Sequence, residues 1–246
     1  MSTQQAPSGD SDKPQVSLWE RLERPAPAPR TTLTAHRIAE AAVAIADAEG
    51  LDAVTMRRLA ADLGVAPMAA YRYVSGKDEL IELMVDFVYG QLPLGAPAEG
   101  WRDTMRALAV HLRAMHLAHP WTVRTTTPFS LSPNQLAVPE RAFAALAGHG
   151  LDADTTMAVF RTVTGYVHGS VTTEVTLDAL RRKHGWSDGH QTRIGLAPQM
   201  SFLMNTGRYP AYQRYLHEAT RKDDPDWQFE TGLDCVLTGI ATHFGL

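Results

Sequence analysis

Cysteine is nearly absent from this sequence. Cys235 stands alone, which rules out an internal disulfide, and its apolar neighbours in "LDCVLTGI" predict a buried, inert thiol rather than a nucleophile. Long apolar runs are missing as well: nothing approaches the roughly eighteen residues of a membrane span, and the N-terminal "MSTQQAPSGDSDKPQ" has no secretory apolar stretch. A cytoplasmic protein with no membrane partner is expected. Catalytic signatures are equally scarce. The chain carries no nucleophile elbow, phosphate-cradling glycine loop or dinucleotide fingerprint. His116 and His119 share a helix face, but no cysteine or carboxylate sits nearby at ligand spacing. The expectation is no enzyme, no metal and no cofactor. A surplus of basic charge is lacking too: the formal net charge is −4, so any case for a nucleic-acid partner must be local.

What is present is helix. From Leu33 onward apolar residues recur at helical spacing and almost nowhere alternate as in strands, in a chain of 246 residues that is 44% hydrophobic. That is enough for one large core or two smaller ones. The expected fold class is all-α. Residues 1–30, rich in Ser, Gln, Pro and charge and closing on "RPAPAPR", read as a disordered tail. A solvated tail is the plainer reading; an arm carrying Arg21, Arg24 and Arg30 along DNA is the alternative.

A first helix begins at the N-cap candidate Thr34, sets Ile38, Ala41, Ala42 and Ile45 on one face and stops at Gly50. Thr55 caps a second, with Met56, Leu59, Ala60 and Leu63 on its apolar face. Gly64 supplies the left-handed residue of a tight turn, and Pro67 suits the first position of a third helix. Two short helices across a glycine turn form a helix-turn-helix, whose second member enters the major groove of DNA. On that member Pro67, Ala70 and Val74 face inward, Met68, Ala69, Arg72 and Tyr73 face outward, and Tyr71 lies at the edge. Arginine can bond a guanine edge, tyrosine hydroxyls bond phosphates, and methyl groups touch thymine. From Thr55 to Lys77 the basic residues Arg57, Arg58, Arg72 and Lys77 outnumber the single acid Asp62, a local surplus in an acidic protein. By spacing alone an ordinary helical hairpin with a solvated face remains the competing reading.

The segment from Leu33 to about Val88, with "IAEAAVAIADAEGLDAVTMRRLA", the turn "LGV" and "YRYVSGKDEL", resembles the N-terminal domain of the TetR family of bacterial transcriptional regulators. The resemblance implies DNA contacts from Thr55, Arg57, Pro67, Met68, Ala69, Tyr71, Arg72, Tyr73 and Lys77. Two positions depart from the pattern: Ala66 replaces a frequent capping residue, at about 1 kcal/mol partly offset by Pro67, and Ala70 replaces a usual Leu. Beyond Gly90, "WRDTMRALAVHLRAMHLAHPW" and "DWQFETGLDCVLTGI" look like the C-terminal domain of the tetracycline-repressor-like subgroup.

In that half, Trp101, Met105, Leu108, Leu112, Met115 and His119 form a stripe on a helix that ends at Pro120, and further helices are expected near 121–127, 138–148, 153–183, 191–204, 208–221 and 225–244. The long helix from Asp154 and the last from Pro225 carry Gly165, Gly169, Gly232 and Gly239. The resemblance implies that this pair forms a four-helix homodimer interface, matching a palindromic operator. On that reading the dimer depends on the last helix, and an aspartate at Leu237 should split it. Methionines and aromatics can line a cavity for an apolar effector. The candidates are Leu112, Met115, Phe129, Phe160, Thr164 and His168.

The expected organisation is a tail over 1–30, a helix-turn-helix domain over 31–78, a linking helix over 77–91 and a ligand-binding and dimerisation domain over 79–246. The linking helix would begin with a capping box of Ser75 and Asp78. Its faces, Leu80, Leu83, Met84 and Phe87 on one side and Ile81, Val85 and Val88 on the other, suit a lever clamped between two layers. The expected function is a ligand-responsive homodimeric repressor, with double-stranded operator DNA and a small apolar or amphipathic effector as partners. An activator, or a small-molecule-binding helical protein whose helix-turn-helix no longer functions, is the alternative. An enzyme is disfavoured by the missing catalytic constellations.

Overall fold

The computed structural model describes residues 16–23, 33–95, 100–125 and 131–246, and every regular element among them is helical. The helix-turn-helix unit is α2 (Ala35–Glu49), a 3-10 turn (Leu51–Ala53), α3 (Met56–Asp62) and α4 (Pro67–Ala70). Each start has a visible cause. The Thr34 hydroxyl accepts from the Arg37 N–H at 3.2 Å and the Thr55 hydroxyl from the Arg58 N–H at 3.1 Å, so two orphan donors are satisfied as the sequence predicts. Gly64 turns the chain at φ 66°, and Pro67 opens α4 after an Ala66 that offers no side-chain cap. Ile38, Ala42, Val54, Leu59, Ala70 and Val74 close a small core beneath.

Helix α5 (Lys77–Tyr89) follows at once and packs against α2 on one side and α8 (Pro133–Leu146) on the other. Its Leu80, Leu83, Met84, Val85 and Val88 are buried, and so is Asp86. The carboxylate of Asp86 accepts from the backbone N–H and the Nδ2 of Asn134, both at 2.8 Å. That tie explains why α8 begins at Pro133 and not near 138: its first turn is capped from another helix, a partner no local pattern reveals. Pro139 lies inside α8. The capping box expected at Ser75 and Asp78 does not form. Gly76 is the N-cap, and Glu79 accepts from the Ser75 N–H at 2.7 Å instead.

The rest of the body is α6 (Trp101–Ala118), the short α7 (Thr122–Thr125), α9 (Ala153–His184), α10 (Gly189–Asn205), α11 (Pro210–Glu218) and α12 (Pro225–Phe244). Val159, Val163, Val167 and Val171 of α9 recur every fourth residue and form its buried seam, because four-residue steps stay on one helix face. This seam meets α6, α8 and α12. Arginines of α6 and acids of α12 run antiparallel in register: Arg113 with Asp226 at 2.7 Å, Arg106 with Glu230 and Asp234, and Arg102 with Asp234 at 3.7 Å. Arg113 is the least exposed of the three; it also grips Glu174 of α9 at 2.8 Å and lies 4.8 Å from the centre of the Phe229 ring.

Four further expectations are corrected. Helix α12 buries Phe229, Leu233, Leu237 and Ile240, so Cys235 falls on the opposite face and is exposed, while Leu237 is core and not a dimer contact. Pro67, expected inward, is exposed. Within the expected tail, α1 (Leu18–Glu23) is a helix that buries Leu18, because tertiary contacts supply what its composition lacks. Arg24 and Arg30 lie outside the described residues.

Candidate nucleic-acid interface

Tightness at the turn leaves the second helix of the pair short, and its only buried member is Ala70. Pro67 and Met68 are exposed, and Ala69 is half-buried. Met68 is 72% exposed, Tyr71 is 44% exposed, and Arg72 is exposed beside them. Arg57 and Arg72 have no ion-pair partner among the described residues, so their charge is unspent. Arg58 differs: Glu49 meets its guanidinium at 2.8 Å and Asp62 at 3.8 Å, which neutralises it in place. Lys77 is exposed and reaches the Leu51 carbonyl only at 3.5 Å. The basic surplus read from the sequence therefore rests on Arg57, Arg72 and Lys77.

Not every expected contact points outward. Ala69 and Tyr73 are half-buried, and the Tyr73 hydroxyl donates its one proton to the Leu33 carbonyl at 2.6 Å. Tyr73 thus ties the segment before α2 to the end of the recognition turn. Thr55 is exposed at the start of α3, its hydroxyl occupied by capping.

The expected effector residues divide by depth. Leu112 and Met115 are buried on α6; Phe160 of α9 is half-buried and meets Phe143 of α8 edge to face at 5.8 Å. The half-buried Thr164 spends its hydroxyl on the Phe160 carbonyl at 3.0 Å, and His168 is exposed. Phe129 lies outside the described residues. The structure adds a neighbour that the sequence offered only as a rejected metal ligand, His116, whose ring centre is 6.4 Å from that of His168. His116 is 5% exposed, and burial, followed by the nearby His168 and His119, lowers its pKa to about 4. Thr122 donates its hydroxyl proton to the His119 carbonyl at 2.6 Å, since a carbonyl can only accept. The 2.7 Å contact between Thr122 and His116 Nδ1 must therefore run from Nδ1–H to the hydroxyl oxygen, leaving Nε2 as an acceptor. The only sequence signal was a histidine at a buried helix position.

Two faces of the body are open in a single chain. Gly165, Tyr166, Gly169, Ser170, Thr173 and Glu174 of α9, with Pro225 and Gln228 of α12, line a groove of about 430 Å³. Nothing approaches the place a side chain would occupy at Gly165, Gly169 or Gly239, whereas Gly232 admits the Tyr166 hydroxyl, which donates to the Phe229 carbonyl at 2.8 Å. On α10 and α11, Ile194, Phe202, Tyr212 and Tyr215 are exposed, Phe202 by 72%. Among the described residues no helix is long and apolar enough to cross a membrane.

Residues 38–84 match the family model for bacterial regulatory proteins of the tetR family, and residues 92–244 match that for the tetracyclin repressor-like C-terminal domain. The chain is 36% identical to the HTH-type transcriptional repressor DrrR1 of Streptomyces coeruleorubidus, over 97% of this chain and 88% of that protein. It is 32% identical to an HTH-type transcriptional regulator of Saccharopolyspora erythraea, over 94% and 93%. Its fold aligns with the Streptomyces coelicolor TetR family protein ActR in complex with actinorhodin, at a TM-score of 0.69 and 27% identity, covering 87% of this chain and 97% of that one.

Proposed function

Because the chain belongs to the TetR family of bacterial transcriptional regulators, we propose that it is a cytoplasmic homodimeric repressor that binds a palindromic operator and releases it on taking up a small apolar or amphipathic effector. The observation that carries this reading is the exposed set of Met68, on the short helix that starts at Pro67 just after the Gly64 turn, and Tyr71 and Arg72, in the turn that directly follows it. Arg72 reads a guanine edge, Met68 meets a thymine methyl, and Tyr71, Arg57 and Lys77 hold phosphates. The surrounding unit, residues 31–78, is the DNA-binding domain, and residues 79–246 form the effector and dimerisation domain.

Dimerisation through the open faces of α9 and α12 is supported by their small residues and by the groove between them. The exposed aromatics of α10 and α11 offer a second apolar face for association. For the effector, the buried side chains of α6 and α9 supply apolar walls, with His116 as a neutral polar group. The complex of ActR with actinorhodin supports a ligand-responsive reading of this domain.

Helix α5 is the coupling element. It is buried against the DNA-binding unit through α2 and fastened to the body by Asp86 and Asn134. A second fastening joins the layers, since Asp47 of α2 accepts from Trp121 at 2.8 Å and meets His119 at 2.9 Å. An effector that shifts α5 changes the separation of the two recognition helices, which must stay near one DNA turn, about 34–36 Å. Such an effector binds the DNA-incompetent state more tightly, and the operator must weaken its binding by the same factor.

The test is binding of the full chain to selected and scrambled duplexes across a salt series. Arg72→Ala should lose discrimination at one operator position by about 1–3 kcal/mol, while Lys77→Ala should weaken all sequences and lower the salt slope by about one charge. A wild-type protein that prefers no duplex recovered by selection overturns the regulator reading.

A further inference from the structure

Helix α1 lies outside both matched family segments, yet it is fastened to α5, the helix that directly follows the recognition segment. Leu18 is 3% exposed, and Trp19 and Leu22 pack beside it on the common core. The Trp19 indole donates to Glu82 at 2.6 Å, and the Arg21 guanidinium donates to Glu79 at 2.5 Å. Both acceptors sit in the first two turns of α5. The Arg21 contact also keeps the Glu79 carboxyl below its ordinary pKa. A six-residue helix has no stability of its own, so α1 is ordered by this docking and not by propensity.

The same oxygen of Glu79 that takes Arg21 also accepts the backbone N–H of Ser75 at 2.7 Å. Ser75 directly follows the recognition turn, whose last residue, Val74, is fully buried. One carboxylate oxygen therefore gathers α1, the end of the recognition segment and the first turn of α5. We infer that α1 is a strap for DNA recognition, with Arg21 and Trp19 as positioning residues that fix the corner between α4 and α5 through Glu79 and Glu82. Arg21 is thus spent on a carboxylate and is not part of an arm along DNA. Without the strap, Ser75 keeps its acceptor but the acceptor loses its anchor, and Tyr71 and Arg72 are presented less precisely. The consequence for DNA rests on the regulator reading above; the strap itself does not.

The experiment uses the full chain with Arg21→Ala, Glu79→Gln, the double variant and Trp19→Phe. Glutamine keeps an oxygen for Ser75 and removes the charge that holds Arg21, which isolates the strap from the local turn. In the free protein, hydrogen exchange at the Ser75 amide should be about threefold to tenfold faster in Arg21→Ala. Each single variant should lower the ratio of selected-duplex to scrambled-duplex affinity about threefold to tenfold, with the double no worse than either single, since both break one interaction. Trp19→Phe, which loses only the indole donor, should move both readings in the same direction by less. The slope of affinity against salt should be unchanged in Arg21→Ala.

A slope reduced by about one phosphate would make Arg21 a DNA contact and overturn the strap. Unchanged Ser75 exchange, or exchange and affinity losses that simply add in the double variant, would also overturn it. If the wild type prefers no duplex, the regulator reading fails, and the exchange measurement alone decides the strap.

Discussion

The DNA-reading unit and the body treat charge in opposite ways. Around α3 and α4, Arg57 and Arg72 stand exposed with no ion-pair partner among the described residues. In the body, the deepest of the charged or titratable groups are held: Asp86 by Asn134, His116 by Thr122, Arg113 by Glu174 and Asp226. Charge left in water costs little to maintain and stays free for a phosphate, while charge taken out of water must be matched or the fold loses several kcal/mol. One chain thus keeps its recognition chemistry separate from its architecture, so substitutions in the two regions should fail in different assays.

The sharpest break is on α12. Leu237→Asp buries an unpaired carboxylate in the core and should cost more than about 4 kcal/mol, visible as loss of cooperative thermal unfolding. Trp227→Asp, on the exposed side of the same helix, should leave the far-ultraviolet spectrum intact and shift sedimentation from dimer to monomer. If both variants merely dissociate, α12 has been divided wrongly between core and interface.

Acidification tests the body next. The folded pKa of His116, about 4, lies below its ordinary 6.5, so the unfolded chain binds a proton that the folded chain refuses. The stability is complete above about pH 6.5 and falls as pH drops towards 4, by on the order of 3 kcal/mol. Denaturant unfolding at pH 7 and pH 4.5 should show that loss in the wild type and less of it in His116→Gln. An identical loss in both would assign the acid sensitivity elsewhere.

The smallest effect is expected at Arg58. Its pairing with Glu49 is largely exposed, so Arg58→Ala should change stability by at most about 1 kcal/mol. Because its charge is already matched, operator affinity should fall less than in Arg57→Ala. Equal losses would show that the pair opens on DNA and that the reading surface is broader than the free charges suggest.

How far the sequence can be read differs along the chain for the same reason. In the reading unit the determinants are local: Thr34 and Thr55 cap over three residues, Gly64 turns the chain by its own backbone freedom, and Pro67 starts a helix by its fixed geometry. All four were legible, along with the exposure of Met68 and Arg72; Tyr71, expected at the edge, is exposed as well. Tyr73 was less so, because whether a phenol faces solvent or a carbonyl forty residues earlier is a matter of approach between segments. In the body the helical periodicity set the long elements correctly, but the depth of each face was not fixed by it, as Cys235 and Leu237 show.

By itself, then, the sequence determined an all-helical chain and a glycine-hinged pair of helices with an exposed basic and aromatic face, because caps, turns and helical period act within a few residues. The tertiary structure alone decided that α1 is docked, that α8 starts at Pro133 under the Asp86 carboxylate, and that His116 is neutral beside His168. Each of these depends on groups dozens of residues apart, Trp19 with Glu82, Asp86 with Asn134, His116 with His168. Desolvation and cross-helix hydrogen bonding exist only once those distances have closed.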